Sequence, residues 1–303
     1  MITDTQILSP ATGMDAVTLR VGDLENMTSY YSNTLSLEPL EEKSHRGQVY
    51  RVLGRGTVPF IRLISTPGLP AVDRSQAGLY HTAWLFPDRE ALAATVYHSA
   101  RDPRSRFVGS SDHLVSEAFY FTDPEGNGIE LYIDRPREEW VHQGGEIAMD
   151  TLPLDPQKFL TEHLQEDRIA MTGTLAGKVG HVHLQVGDIA RAREFYVDAL
   201  GFEPTQTGYR GALFASAGGY HHHVAMNSWH SRGAGPRAAS LGLGSLAITV
   251  PDREQLDQVA QRLRDRGLWL ADDGHTLSTR DPWDTLVTLS LPGTSTEQLL
   301  REI

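Results

Sequence analysis

The stretch HTAWLFPDREAL (residues 81–92) contains the pattern that decides the fold. An apolar, partly alternating run is followed by Asp88 and then by an amphipathic run whose apolar residues are spaced near 3.6. Aspartate is a preferred helix N-cap, because its side chain accepts a hydrogen bond from a backbone N–H of the first turn. The stretch therefore predicts a strand, a capping aspartate and a helix in direct succession.

The same succession occurs three more times along the 303 residues. Short apolar runs lead into VGDLENM at Asp23, VGDIARA at Asp188 and VPDREQL at Asp252. Two or three strand-like segments follow each predicted helix, for instance EAFYF and GIELYI in the second unit. Asp23 and Asp88 are 65 residues apart, and Asp188 and Asp252 are 64 apart. Such spacing indicates an internal repeat rather than four unrelated α/β fragments.

The middle interval between repeats is 100 residues, and its excess falls in residues 134–176. This segment is polar, contains prolines and has one helical patch, DPQKFLTEHLQ. We therefore predict two domains, residues 11–133 and residues 177–291, each built from a pair of repeats. Residues 134–176 are predicted to be the linker between them.

Composition excludes several classes of partner. The chain has no cysteine and no apolar run of about 18 residues, and its N-terminus, MITDTQILSP, lacks the blocks of a signal peptide. A cytoplasmic protein without disulfides is expected. With 39 acidic and 27 basic side chains, the formal charge of −12 disfavours nucleic acid and anionic membranes as partners.

Two histidines occupy the same position in the repeat. The residues seven before the capping aspartates are Ala16, His81, His181 and Ser245. A lone histidine on a strand is more often structural than a ligand. Two at one repeat position favour a site, because pseudosymmetry can bring equivalent positions together.

Glu130 interrupts the apolar strand IELY that follows the predicted turn DPEGNG. Pattern alone leaves two alternatives open, namely an edge strand facing water or a carboxylate aimed inward at a cation. His81, His181 and Glu130 together would supply two imidazoles and one carboxylate, a set typical of non-haem Fe(II) sites with open positions for substrate and dioxygen. The same ligands suit Mn²⁺ or Zn²⁺.

These features resemble the vicinal oxygen chelate superfamily, which includes glyoxalase I, bleomycin-resistance proteins and extradiol dioxygenases. The resemblance rests on the strand-first repeats, on SDHLVSEAFYFTDPEGNGIELY (111–132) and on GGYHHHVAMN (218–227), and it covers residues 14–290 apart from the linker. It is strongest to bacterial catechol 2,3-dioxygenases. It implies an α+β fold in which four βαβββ modules form two open cup-like barrels, with a metal on the concave face.

The resemblance also implies roles for individual residues. His81, Glu130 and His181 correspond to the family's iron ligands, and Tyr120, ten residues before Glu130, to its active-site tyrosine. His113 corresponds to a further donor, although its spacing departs from the usual one. The implied reaction is extradiol cleavage of a catechol or substituted catechol by Fe(II) and O2, in the breakdown of aromatic compounds.

The three histidines His221, His222 and His223 raise a separate question. By resemblance, His222 is the acid/base histidine. On a strand its side chain would point away from those of its two neighbours, so that one of the three lines the cup. A one-residue slip to His223 and a solvated histidine edge are the alternatives.

The chain departs from the family pattern in its fourth module. Ser245 stands where a histidine is expected and Thr288 where the glutamate is expected. The metal site therefore requires that modules two and three share a cup, with modules one and four forming a metal-free partner. That meeting could occur within one chain or between protomers of a homo-oligomer.

Two other functions remain as alternatives. One is a lyase or isomerase of the glyoxalase type, which would use the same metal ligands to polarise a carbonyl. The other is a protein that binds an aromatic compound without turnover, as bleomycin-resistance proteins do. Tightly bound metal would argue against the second, and consumption of dioxygen would argue against both.

Overall fold

The structure is a computed structural model that describes residues 7–174 and 176–293. Most of the stretch MITDTQILSP, predicted not to be a signal peptide, lies outside the described residues. Among the described residues, no helix is long and apolar enough to cross a membrane. A two-residue strand, β1 (Gly13–Met14), precedes four successive βαβββ modules.

The four modules confirm the predicted repeat. The first comprises β2 (Val17–Val21), α1 (Leu24–Leu35), β3 (Glu38–His45), β4 (Gln48–Arg55) and β5 (Val58–Ser65). The second comprises β6 (Gly78–Leu85), α2 (Arg89–Arg101), β7 (Arg106–Asp112), β8 (Ser116–Thr122) and β9 (Gly128–Asp134). After the linker, the third comprises β13 (Lys178–Gln185), α5 (Ile189–Arg193, continued by a π-helical turn to Ala199), β14 (Glu203–Gln206), β15 (Ala212–Ser216) and β16 (Val224–Asn227). The fourth comprises β17 (Gly242–Thr249), α6 (Arg253–Asp265), β18 (Leu270–Asp272), β19 (Thr276–Arg280) and β20 (Leu286–Ser290).

The linker has more structure than its composition predicts. A two-stranded hairpin and a third short strand precede two helices: β10 (His142–Gln143), β11 (Glu146–Ile147), β12 (Leu152–Pro153), α3 (Pro156–His163) and α4 (Glu166–Ala170). Helix α3 is the predicted helical patch, capped by Asp155. Strand β12 pairs with β7, so the linker extends a sheet of the second module.

Two nine-stranded sheets contain the strands of all four modules. One has the order β12-β7-β8-β9-β6-β13-β16-β15-β14, and the other β18-β19-β20-β17-β2-β5-β4-β3 with β1 beside β17. Each sheet joins two modules through one antiparallel pair of first strands, β6 with β13 and β17 with β2. Modules two and three therefore share one cup within a single chain, and modules one and four share the other. This is the α+β architecture predicted, and the division into two sequential domains stays a prediction.

The capping aspartates make the bonds that the sequence predicts. The side chains of Asp23, Asp88, Asp188 and Asp252 each accept a hydrogen bond from the backbone N–H three residues later. Each helix thereby starts at the residue after its capping aspartate.

A second repeated contact ties consecutive modules together. The hydroxyl of Tyr31 in α1 donates to Asp123 in the DPEGNG turn of module two, at 2.8 Å. Tyr196, after α5, donates in the same way to Asp281 in the matching turn of module four, at 2.9 Å. Helices thus link module one to two and three to four, while the sheets link two to three and one to four.

Candidate metal centre

Three predicted ligands meet on the concave face of the first sheet. In the antiparallel pairing of β6 and β13, His81 lies opposite His183, and His181 lies opposite Ala83. Strand β9 runs parallel to β6 and places Glu130 beside Ala83. The His81 and His181 Nε2 atoms lie 2.8 and 3.1 Å from the same Glu130 oxygen, Oε2. All three residues are less than a tenth exposed.

The chemistry of this cluster fits a divalent metal ion. One donor atom from each residue lies within 4.8 Å of the others. The buried Nε2 of His81 makes no well-directed hydrogen bond to any residue that the structure describes, although it lies close to the carboxylate. An ion between the three side chains would satisfy that atom, and two imidazoles with one carboxylate form the set expected for non-haem Fe(II).

The protonation states in the cluster also suit a metal. Burial lowers the pKa of His181 to about 4, although the nearby Glu130 charge opposes the shift. Burial alone would raise the pKa of Glu130, but His181 and His81 hold it well below its usual range. At neutral pH His181 is therefore a neutral imidazole and Glu130 is a carboxylate, the forms in which these residues bind metals.

A cavity of about 460 Å³ opens beside the cluster. His81 and Glu130 form part of its wall. The remainder is mostly apolar and aromatic, and includes Tyr80, Val108, Phe121, Met149, Tyr209, Phe214 and Trp229. Met149 and Thr151 come from the linker, so a segment predicted only to connect the halves also walls the cavity.

Tyr120 and His113 lie together in this cavity. The Tyr120 hydroxyl is 2.7 Å from His113 Nε2, and His113 Nδ1 is 2.7 Å from the Asp150 carbonyl oxygen. A carbonyl only accepts, so His113 donates through Nδ1 and its Nε2, in the neutral ring, accepts from the tyrosine. Burial, and next the Glu130 charge, raise the pKa of Tyr120 well above 10, which keeps its hydroxyl protonated.

The three consecutive histidines do not lie on a strand, so the predicted alternation is wrong. Gly218 and Gly219 adopt φ values of 63° and 67° and turn the chain, and β16 begins only at Val224. His222 lines the cavity, with its ring centroid 4.0 Å from that of His181. His221 also lies near His181, with the ring centroids 5.8 Å apart. Burial, and next the neighbouring histidines, lower the pKa of His222 well below its usual range.

His223 points elsewhere. Its ring packs against Tyr220, and its Nδ1 accepts a hydrogen bond from the Ala217 backbone N–H at 3.2 Å. It does not contribute to the cavity wall, so the structure places His222 rather than His223 at the site.

His183 lies in the site but was not predicted there. It lines the cavity, its ring lies 4.9 Å from those of both Tyr80 and His81, and Asn227 is 3.0 Å from its Nε2. The signal was present in the sequence, because residues two apart on a strand share a face and His183 follows His181 by two.

Among the residues that the structure describes, modules one and four hold no such cluster, and the second cup shows why. The strand position of Glu130 corresponds to Arg62 in module one and to Thr288 in module four, by their pairing opposite Thr18 and Ala247. The Arg62 guanidinium is buried and donates to the Ala16 carbonyl and to Asp15, both at 2.7 Å. A fixed side-chain cation thus occupies the place that Glu130 takes in the first cup.

Replacing Arg62 with alanine is expected to destabilise the fold and leave metal binding unchanged. The variant leaves Asp15 and the Ala16 carbonyl without their partner, at a cost of about 3 kcal/mol. Urea unfolding of the metal-free protein measures the loss of unfolding free energy. Metal content after gel filtration tests whether metal binding is unchanged. A loss of bound metal in the variant would contradict the separation of the two cups.

The buried histidines predict acid lability of the metal-free protein. Burial lowers the pKa of His223 to about 3, whereas the unfolded value is near 6.5. Below pH 6.5 the unfolded chain therefore binds more protons, so the stability from this residue is complete above pH 6.5 and falls as the pH drops toward 3. At pH 5 the loss is about 2 kcal/mol.

The variant His223→Asn tests this expectation, because an amide cannot titrate but can still accept the Ala217 bond. The loss of unfolding free energy between pH 7.5 and 5.0 should be about 2 kcal/mol smaller in the variant than in the native chain. Equal losses in the two proteins would show that the pKa of His223 is not lowered by folding, so that the residue is protonated in the folded chain at pH 5.0 as it is in the unfolded chain.

Comparison with known proteins identifies the family. The model of the Glyoxalase/Bleomycin resistance protein/Dioxygenase superfamily matches residues 13–131 and 178–287, so the chain belongs to this superfamily. This confirms the resemblance seen in the sequence. The chain is 35% identical to the catechol-2,3-dioxygenase of Bacillus subtilis (strain 168) over 273 residues, which cover 87% of this chain and 92% of that protein.

Solved structures show the same fold. A putative dioxygenase from Bacillus subtilis subsp. subtilis str. 168 superposes with a TM-score of 0.65 at 14% identity, covering 95% of this chain and 87% of that chain. Glyoxalase I from Zea mays superposes with a TM-score of 0.57 at 17% identity, covering 96% of this chain and 95% of that chain.

Proposed function

We propose that the protein is an extradiol ring-cleaving dioxygenase that opens a catechol with dioxygen at an Fe(II) ion held by His81, Glu130 and His181. The observation that carries the proposal is the convergence of two buried imidazole Nε2 atoms on one carboxylate oxygen beside an aromatic cavity. The similarity to a catechol-2,3-dioxygenase over most of the chain supports the same class of reaction.

The residues around the cluster have distinct tasks in this reaction. Fe(II), when bound, supplies Lewis acidity toward the diol oxygens and redox capacity toward dioxygen. His222 faces the cavity as a neutral base and accepts a proton from the diol hydroxyl, which it later returns to the product. Tyr120 keeps its proton and orients a substrate oxygen, together with His113.

The cavity walls hold the ring and exclude water from the reacting atoms. Tyr80, Phe214 and Trp229 surround the His183 ring at centroid distances between 4.9 and 5.9 Å. Aromatic pairs prefer edge-to-face or offset contacts at centroid distances of about 4.5–7 Å, and these side chains can pack on the ring of a bound catechol in the same way.

Oxygen uptake tests the proposal. The protein is reconstituted with Fe(II) without air and mixed with catechol in aerated buffer, while an oxygen electrode and the absorbance of the ring-opened product are followed. One dioxygen consumed per catechol is expected with Fe(II), and none with Zn²⁺, which has no redox chemistry. Absence of uptake despite bound Fe(II) would overturn the proposal and favour a lyase, an isomerase or an aromatic-binding protein.

A further inference from the structure

A series of hydrogen bonds runs from the cavity through side chains that have no role in the reaction proposed above. The Nδ1 atoms of His222 and His221 are 2.8 Å apart. The other ring nitrogen of His221, Nε2, lies 2.8 Å from Asp134 Oδ1. Because His222 lines the cavity, these two hydrogen bonds connect its ring, through His221, to the carboxylate of Asp134.

The fold holds Asp134 and His221 in place. Asp134 ends strand β9 and, four residues after Glu130, lies on the same face of that strand. Its second oxygen accepts a hydrogen bond from the Tyr220 hydroxyl at 2.8 Å. His221 is fully buried between the rings of Tyr220 and Trp140, at centroid distances of 4.1 and 5.4 Å.

The direction of each hydrogen bond follows from the carboxylate. An ionised carboxylate only accepts, so His221 donates through Nε2–H. In a neutral His221 the Nδ1 atom then carries a lone pair and must accept, which makes His222 the donor through its own Nδ1–H. The atom of His222 left for the cavity is Nε2, with a free lone pair.

Coordination of a second metal ion in a tetrahedral site does not explain this arrangement. One nitrogen from each of His181, His221 and His222 lies within 4.8 Å of the others, which by itself would suit a three-histidine site. Two nitrogens bound to one ion at 2.0–2.1 Å with a tetrahedral angle lie about 3.3 Å apart. The 2.8 Å between the two Nδ1 atoms is a hydrogen-bond distance instead.

We propose that Asp134 and His221 are positioning residues that hold His222 as the Nδ1–H tautomer, with Nε2 aimed at the substrate. The catalytic consequence rests on the proposed function, whereas the tautomer itself does not. An aspartate that orients a histidine base in this way also fixes its tautomer in serine proteases, where a change to asparagine preserves geometry but selects the wrong tautomer.

The variant Asp134→Asn tests the proposal. Both Tyr220 and His221 donate to Asp134, but an asparagine offers only one accepting oxygen, and its NH2 group then faces one of these donors. The Tyr220 hydroxyl has one proton and gives it to residue 134, so the Tyr132 hydroxyl, 2.7 Å away, donates to Tyr220. The asparagine oxygen therefore faces Tyr220 and its NH2 faces His221, which inverts the tautomers of both His221 and His222. The matched control is Tyr220→Phe, which removes the other bond to the same carboxylate and leaves His221 its acceptor.

Two measurements are made on the full chain. Long-range ¹H–¹⁵N spectra of the histidine-labelled, Zn²⁺-loaded protein show which ring nitrogen of His222 carries hydrogen. We expect Nδ1–H in the native chain and in Tyr220→Phe, and Nε2–H in Asp134→Asn. With Fe(II), kcat for ring cleavage should fall about 10²-fold in Asp134→Asn, while KM and iron content stay within about threefold.

The outcomes separate this inference from the proposed function. Nε2–H on His222 in the native chain overturns the inference, as does an unchanged tautomer or an unchanged kcat in Asp134→Asn. If the native Fe(II) protein cleaves no catechol, the proposed function fails, and the spectra alone still decide whether Asp134 sets the tautomer.

Discussion

Glu130→Gln is expected to abolish stable iron binding and to lower kcat/KM for ring cleavage by about 10³-fold, because a bound Lewis-acid metal supplies several kcal/mol to such reactions. The substitution keeps the size of the side chain but removes the charge on which the Nε2 atoms of His81 and His181 converge. Iron content after desalting and steady-state oxygen uptake are the two measurements, with circular dichroism as the check on folding.

Thr288→Val is the matched control for this experiment. Thr288 occupies the position of Glu130 in the fourth module and is equally buried, and valine has nearly the same shape. Iron content and activity should be those of the native chain. A Glu130→Gln protein that retains native iron content, or a Thr288→Val protein that loses it, would mean that the metal binds elsewhere.

The second large effect is expected at His222. His222→Asn keeps a polar group near the Nδ1 position, beside His221, but has no atom at the position of Nε2. Iron should remain bound, since His222 is not among the proposed ligands, and kcat should fall by about 10²- to 10⁴-fold through loss of the acid/base group. Single-turnover kinetics with preloaded Fe(II) separates this loss from any change in substrate binding.

His223→Asn serves as the control for the neighbouring position. Its ring lies outside the cavity and packs on Tyr220, so kcat should stay within about twofold of the native value. A loss of turnover in His223→Asn with none in His222→Asn would assign the acid/base role to His223.

Much of the fold could be predicted because its signals are local. An aspartate that caps a helix after a strand depends on a few consecutive residues, and four copies at near-equal spacing define the repeat. The pairing of modules two and three is not local. The pairing could be predicted only from the chemistry of metal ligands, since His81, Glu130 and His181 fall in modules two and three and the fourth module lacks their counterparts.

The parts that were missed are one local turn and two contacts between distant segments. The pattern of GGYHHHVAMN is compatible with a strand, but the left-handed glycines and the late start of β16 place His221 and His222 together near His181. The linker gains its role from pairing with β7 across some 40 residues, for which its composition carries no signal. The sequence likewise gives no sign that Arg62 is buried, because its role depends on contacts with Asp15 and the Ala16 carbonyl in the folded second cup.

The measurement that tests the central claim most directly is mass spectrometry of the product formed under ¹⁸O₂. The Fe(II) protein is mixed with catechol under labelled dioxygen in unlabelled water, and the product is trapped before it exchanges oxygen with water. Ring cleavage at the His81, Glu130 and His181 centre predicts a ring-opened product with both labelled atoms. An unlabelled product, or a quinone with its ring intact, would contradict it.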